Sequence, residues 1–383
     1  MRHRIPGTWL VALAVSALRP FGTWAQEGHQ FVVAGYGTAS FEAVITDEST
    51  SDFIASLSPV LLYSAGTDFL FEAELEFGLN GTATTTTLEY AQLDYLGLDR
   101  FQFIFGKFLL PFGVFGERLH PSWINKLPTA PPLFGHAHGG VAEDALLPIL
   151  SDAGLMVRFN QPLSGSWHLD VSGYVTQGPQ MGSDVDDHAD DAAHARLGNP
   201  GILPVARAVG DHAAAADVPA PPVAFGTAFG DNNQNKMLGA RVGVVKGPSF
   251  EVYVSGFHAM YDDEDFLDFV GTALSVEWRR GGFEVRGEGV LTWQEFVGET
   301  DFETLDQSGF YLQTSRRFDK WEPVARWSFL GDGTVDGATV SDSHSEVAIG
   351  LDYWFRPTVP LKVAWEIHED RDDRVIVQWA FGF

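Results

Sequence analysis

Charged residues recur at every second position in several stretches of this chain. Glu72, Glu74 and Glu76 are spaced by two, and so are Glu284, Arg286 and Glu288. A spacing of two stacks side chains on one face of an extended strand, whereas a helix would scatter them around its axis. Asp170, Arg158, Arg241, Arg326, Glu346, Lys362 and Arg374 sit in the polar phase of similar stretches. Rows of fixed charge of this kind attract, repel or order small ions along a wall. Catalysis has no comparable signal. The chain has no Gly-x-Ser-x-Gly elbow, no His-Glu-x-x-His helix and no Cys, which leaves a membrane-embedded lipase or protease as a minor alternative. The absence of Cys also removes disulfides, thiolate metal sites and covalent haem attachment.

The polar phase has an apolar partner. Phe69, Phe71, Ala73, Leu75 and Phe77 alternate with Glu72, Glu74 and Glu76. Phe283, Val285, Gly287, Gly289, Leu291 and Trp293 do the same against Glu284, Arg286 and Glu288, and Val347, Ile349, Leu351, Tyr353 and Phe355 repeat the pattern. Sixteen such segments are expected, at approximately 31–44, 52–65, 67–80, 86–97, 100–108, 153–162, 165–177, 236–246, 249–260, 268–279, 282–295, 308–318, 321–330, 344–355, 360–368 and 373–383. The phases of the fourth and twelfth are ambiguous.

A soluble β-sandwich shows the same alternation. The connections separate the two architectures. From the second segment onward, every other connection is a tight turn such as Ala65-Gly66-Thr67, Gly97-Leu98-Asp99, Leu163-Ser164 or Gly247-Pro248, and those between are mostly longer, the largest being 109–152 and 178–235. A transmembrane antiparallel β-barrel of about sixteen strands has this layout, with short turns on the periplasmic side and long loops outside. The apolar faces then meet outer-membrane lipid and lipopolysaccharide, and the charged rows line a lumen. No other stretch is apolar enough for a membrane helix.

The ends agree with secretion to an outer membrane. Residues 1–25 read as a cleaved signal peptide, with Arg2 and Arg4 as the basic head, an apolar core over Trp9 to Leu18, and Thr23-Trp24-Ala25 as the cleavage site. Residues 26–383 are then the barrel. At the other end Val375, Val377, Trp379, Phe381 and Phe383 alternate to the last residue. This resembles the C-terminal signal read by the outer-membrane assembly machinery, with Trp379, Phe381 and Phe383 as its core. Without Arg2, Arg4 and Arg19, the 24 basic residues fall to 21 against 51 acidic ones, a formal charge of 21 − 51 = −30. Nucleic acid is excluded as a partner, because its phosphates need a basic surface.

Gly106-Lys107-Phe108-Leu109-Leu110-Pro111-Phe112-Gly113, followed by Glu117, resembles the segment leading into the third loop in relatives of the phosphate-selective porins. Asp231-Asn232-Asn233-Gln234-Asn235-Lys236, running into Gly239-Ala240-Arg241-Val242-Gly243, resembles the start of a mid-barrel strand in the same group. The resemblance implies a sixteen-stranded pore, commonly a homotrimer, narrowed by an inward-folded third loop. Here that loop is 109–152, with Lys107, Arg118 and Lys126 as its cations. It also implies anion selectivity, against which Glu72, Glu74 and Glu76 argue, so a modest cation preference is expected. The chemistry is passive diffusion with no cofactor. A different class is a barrel sheathing a multihaem cytochrome, in which the redox groups belong to the partner. No metal site is expected: His188, His194 and His212 lack ligand spacing, and Asp231 to Asn235 lacks the Gly and final Glu of a calcium loop.

Overall fold

The structure is a computed structural model, and it describes residues 28–45, 50–80, 83–135, 145–181, 202–203, 220–221, 223–225, 233–298 and 301–383. The expected signal peptide and His188, His194 and His212 lie outside the described residues.

Sixteen antiparallel strands close into one barrel. In chain order they are β1 His29–Ile45, β2 Ser51–Ala65, β3 Phe69–Asn80, β4 Ala83–Leu98, β5 Phe101–Leu109, β6 Ser151–Pro162, β7 Trp167–Thr176 and β8 Met237–Lys246. They continue as β9 Phe250–Met260, β10 Asp268–Arg280, β11 Phe283–Val297, β12 Phe302–Arg316, β13 Trp321–Leu330, β14 His344–Arg356, β15 Val359–His368 and β16 Asp373–Gly382. Each strand pairs with its sequence neighbours, and β1 pairs with β16 from Tyr36↔Gly382 to Ile45↔Asp373, so no edge is left open. A barrel is the one β architecture whose backbone polar groups are all satisfied inside a bilayer.

The alternation places the apolar phase outside. Val254, Leu274, Ile349, Leu351 and Val363 are exposed on the outer face, while Ser255, Ser275, Ala348, Asp352 and Lys362 on the same strands are buried. Aromatic pairs follow one another around the short-turn end. Phe69–Tyr95, Phe101–Phe159, Trp278–Phe283, Trp321–Tyr353 and Phe355–Trp379 have ring centroids 4.7–6.0 Å apart. Such a girdle sits where hydrocarbon meets headgroups.

Two registers settle the ambiguous phases. A bulge between Glu74 and Leu75, opposite Tyr90 and Leu88, shifts the second half of β4 and leaves Glu89 buried. Strand β12 begins at Phe302 rather than near 308, because its first residues pair with the end of β11 and with a short hairpin, Gly333–Val335 and Ala338–Ser341. Polar runs such as Glu303-Thr304 hide this extension from a hydrophobicity pattern.

The lumen differs from the sequence expectation of a polar lining. Ile104, Phe108, Met156, Tyr253, Phe257, Phe269, Val290 and Tyr311 face inward and form an apolar core with the third loop, through Leu110, Phe112, Val114, Phe115, Leu119, Leu133, Phe134 and Leu147. Burying one such side chain contributes about 1.5–3 kcal/mol. The inward-facing wall residues and the third loop therefore form a hydrophobic core inside the barrel.

Candidate functional site

The third loop, between β5 and β6, folds into the barrel and is held there by the wall's charged rows. Its first turn passes over β11. There the buried Glu288 carboxylate accepts from Val114 N at 2.6 Å, Phe115 N at 2.8 Å, Ser275 Oγ at 2.7 Å and Tyr311 Oη at 2.8 Å. Gly113 lies between this carboxylate and the loop with φ of 66°, and a Cβ there would stand 2.4 Å from Glu288 Oε2. Only glycine fits both the left-handed backbone and the approach. A single wide helical turn, Phe115–Leu119, follows.

That turn presents Glu117 and Arg118 to opposite partners. Glu117 binds Arg158 of β6 and Arg241 of β8, and Arg118 donates to Glu251 of β9 at 2.6 Å. Burial by itself would raise the Glu117 carboxyl, but Arg158 and Arg241 outweigh it and hold the group below the usual carboxylate range. Arg118 and Arg241 both stack over Tyr253, at 5.2 and 4.8 Å from its centroid. Asp170 of β7 stands 4.0 Å from Arg241.

Farther along, Lys126 reaches Glu322 of β13 at 2.6 Å and Glu284 of β11 at 3.8 Å, and Arg286 binds the same Glu284. The fully buried Lys362 of β15 donates to the carbonyls of Ser122 and Asn125, and Arg326 of β13 donates to Thr129 O at 2.9 Å. Gln378 of β16 donates to Pro128 O at 3.2 Å. The loop thus touches wall residues from β6 round to β16.

Opposite this docked surface, β1, β3 and β4 carry an acidic wall. Glu72 is half-buried and Glu74, Glu76, Glu89 and Asp94 are buried along it. Tyr36 of β1 donates to Glu74 at 2.5 Å and lies 3.4 Å from His120 of the loop, so the loop's edge meets this wall. Gln92 and Gln102 hold Asp94 at 3.0 and 2.9 Å. Side chains that retain water contact inside the lumen concentrate between the two surfaces: Glu72, Gln92, Gln102, Arg118, Arg158, Asn160 and Asp170.

The residues singled out in the sequence therefore divide into groups. Glu72, Glu74 and Glu76 form the acidic wall. Arg118, Arg158, Arg241 and Asp170 meet around Glu117. Glu284, Arg286 and Glu288, with Arg326 and Lys362, lie beneath the loop as its anchors. Glu346 and Arg374 sit toward the long-loop rim: Arg326 contacts Glu346 at 2.9 Å, and Arg374 contacts Glu42 and Glu366 at 3.2 Å each. Lys107 is not on the loop. Its register on β5, opposite Ala91 and in phase with Phe103 and Phe105, points it outward, and its ammonium donates to Leu88 O at 2.8 Å beside the β4 bulge. Trp379, Phe381 and Phe383 face outward on the closing strand, and Phe383 exchanges both backbone hydrogen bonds with Gly35. Glu322, Glu89 and Asp94 were missed in the sequence. Glu322 shares the phase of Arg326 and was legible, whereas the bulge concealed Glu89.

Of the 178–235 segment, Gln180–Met181, Ile202–Leu203 and Val223–Ala224 pair as a small sheet. Phe225 packs on Phe257 and Phe269 at 6.0 and 5.7 Å, so this part of the segment enters the barrel mouth.

No family model matches the chain, and no curated protein matches it. Solved structures do. Salmonella typhi OmpF, in complex with daunomycin, superposes with a TM-score of 0.57 at 12% identity, over 93% of this chain and 98% of that one. The outer membrane channel DcaP of Acinetobacter baumannii gives 0.57 at 12% identity, over 94% and 99%. The trimer form of Vibrio cholerae OmpT, an outer membrane protein, gives 0.54 at 9% identity, over 93% and 100%. The chain shares the porin-like barrel fold of these proteins.

Proposed function

We propose that this chain is an outer-membrane porin, exported with loss of residues 1–25, that lets small polar or charged solutes diffuse passively past its third loop. The observation that carries this reading is the lumen itself. A loop pinned by buried ion pairs on one side and an acidic wall on the other leave the water-accessible charged side chains between them. The same loop occupies the space that a sheathed multihaem cytochrome would need, which favours the channel over the conduit. The trimer form of the Vibrio cholerae protein supports a homotrimer here.

Cations are the favoured solutes. Arg118, Arg158 and Arg241 are already engaged by Glu251 and Glu117, while Glu72, Glu74, Glu76, Glu89 and Asp94 stand together on the facing wall. A carboxylate about 5 Å from a passing ion contributes about 0.8 kcal/mol in water-like surroundings, and its reach is about 8 Å at physiological salt. Only charges near the narrowest point count, so the preference is modest and grows as salt is lowered. Zero-current potentials of the refolded protein across a KCl gradient test this. A potassium-selective sign is expected. A chloride-selective sign would replace it with the anion-selective, phosphate-type reading, and the absence of conductance would remove the channel altogether.

A further inference from the structure

At the long-loop end of the lumen, strands β14 and β15 bring together three side chains that the diffusion reading does not use. Glu346 and His368 are direct cross-strand partners, and Glu366 lies two residues before His368 on the same inward face. One ligand atom from each, a carboxylate oxygen from Glu346 and Glu366 and a ring nitrogen from His368, lie within 4.8 Å of one another. We propose that Glu346, Glu366 and His368 form a divalent transition-metal site of the zinc class, open to the external face of the barrel.

The hydrogen bonds around His368 give the second, independent argument. Asp370 engages His344 Nδ1, and His344 Nε2 lies 3.3 Å from His368 Nδ1, the two rings stacked at 5.4 Å. A carboxylate only accepts, so His344 carries its proton on Nδ1. In the tautomer that carries its one proton on Nδ1, His344 Nε2 accepts from His368 Nδ1–H. That tautomer leaves the lone pair of His368 on Nε2. That atom is buried without a hydrogen-bond partner and belongs to the ring that converges with the two carboxylates. A ring-nitrogen lone pair beside two carboxylates is a donor set that a bound metal cation would satisfy. Metal-bound imidazoles characteristically donate their other ring N–H to an acceptor that orients them, and here His344, itself engaged by Asp370, stands in that place.

The surrounding charge is compatible with a cation. Glu42, Glu346 and Glu366 face Arg326 and Arg374, leaving one negative charge in excess, and at the rim Asp370 and Arg371 offset one another. The guanidiniums contact both carboxylates, with Arg326 Nη2 lying 3.7 Å from Glu366 Oε1 as well as bonding Glu346. Arg326 Nη2 is 2.9 Å from Glu346 Oε1, Arg374 Nη2 is 3.2 Å from Glu366 Oε2, and Thr129 of the loop donates to Glu366 Oε1. Tetrahedral zinc with bonds of about 2.1 Å places its ligands roughly 3.4 Å apart, so the three groups need only close inward by side-chain rotation. One imidazole and two carboxylates suit zinc or manganese better than copper(I), which prefers sulfur. Asp370 is half-exposed, and the site therefore lies at the water-facing rim.

The test is isothermal titration of ZnCl2 into chelator-treated, refolded full-length barrel. Variants whose heat-modifiable migration matches the wild type are compared. One zinc per chain is expected, together with visible d–d bands when Co2+ is added instead. His368→Ala and the isosteric-sized His368→Gln should lose affinity by at least about tenfold. His344→Ala, acting through the relay, should weaken it by roughly 10–100-fold. His258→Ala, on the outer face, should bind as the wild type does. Absence of stoichiometric zinc binding by the wild type, or undiminished binding by both His368 variants, would overturn the proposal. Either result leaves the channel reading untouched, because that reading stands on conductance.

Discussion

Replacing Glu288 by Ala removes the acceptor that fixes the start of the third loop. The carboxylate is buried and takes hydrogen bonds from two loop amides, Val114 N and Phe115 N, and from Ser275 and Tyr311 on the wall. The two hydroxyls can turn to other acceptors, but the amides cannot. A buried donor left unsatisfied costs about 1–3 kcal/mol, so the two amides together disfavour the docked loop by about 2–6 kcal/mol. At about 1.4 kcal/mol per tenfold change, even the lower figure shifts the ratio of docked to undocked loop by more than tenfold. Glu288→Gln keeps one acceptor oxygen but turns an amide N–H2 toward a second donor, and it should fall between Glu288→Ala and the wild type. The barrel wall is unaffected in both, because backbone pairing of β10, β11 and β12 does not involve the side chain. Single-channel recording should show larger, flickering conductance for Glu288→Ala, and limited proteolysis should cut within 109–152 while heat-modifiable migration is retained. Wild-type conductance together with a protease-resistant loop would refute the view that Glu288 anchors it.

Three further outcomes are expected. Glu117 has a docked-state carboxyl held below its ordinary value of about 4.3, so its contribution is complete above that value and is lost as pH falls through the lower docked one. Conductance should hold as pH falls through the ordinary carboxylate range and change only below it, and Glu117→Gln should abolish that acid step; loss of the step's dependence on Glu117 would contradict the assignment. Deleting Phe383, whose backbone closes the barrel against Gly35, should reduce membrane-embedded protein severalfold while secretion continues, read as heat-modifiable band intensity. An epitope inserted at Ala215 should be labelled on intact cells, and labelling only after permeabilisation would invert the topology.

The period of two, the alternation of short and long connections and the terminal aromatic strand were enough to specify sixteen strands and a closed antiparallel barrel. Those signals are local, and in a barrel every strand pairs with its sequence neighbour, so the topology follows from the order of segments. The same alternation assigned Glu72, Glu74, Glu76, Glu284, Arg286, Glu288, Arg326 and Lys362 to the inner face. It could not tell which of them meet solute and which meet the loop. That depends on where residues 109–152 lie, and their docking rests on contacts as distant in sequence as Lys362 to Ser122 and Arg326 to Thr129. Lys107 illustrates the limit from the other side: its neighbours in the sequence suggested the loop, but one position of register turned it outward. The Glu346, Glu366 and His368 cluster needed the offset between β14 and β15, which no spacing within either strand records. Strand identity is written in short-range periodicity, whereas the chemistry of the lumen is decided by tertiary packing, because a loop that folds back can bury one charge of a row and leave the next in water.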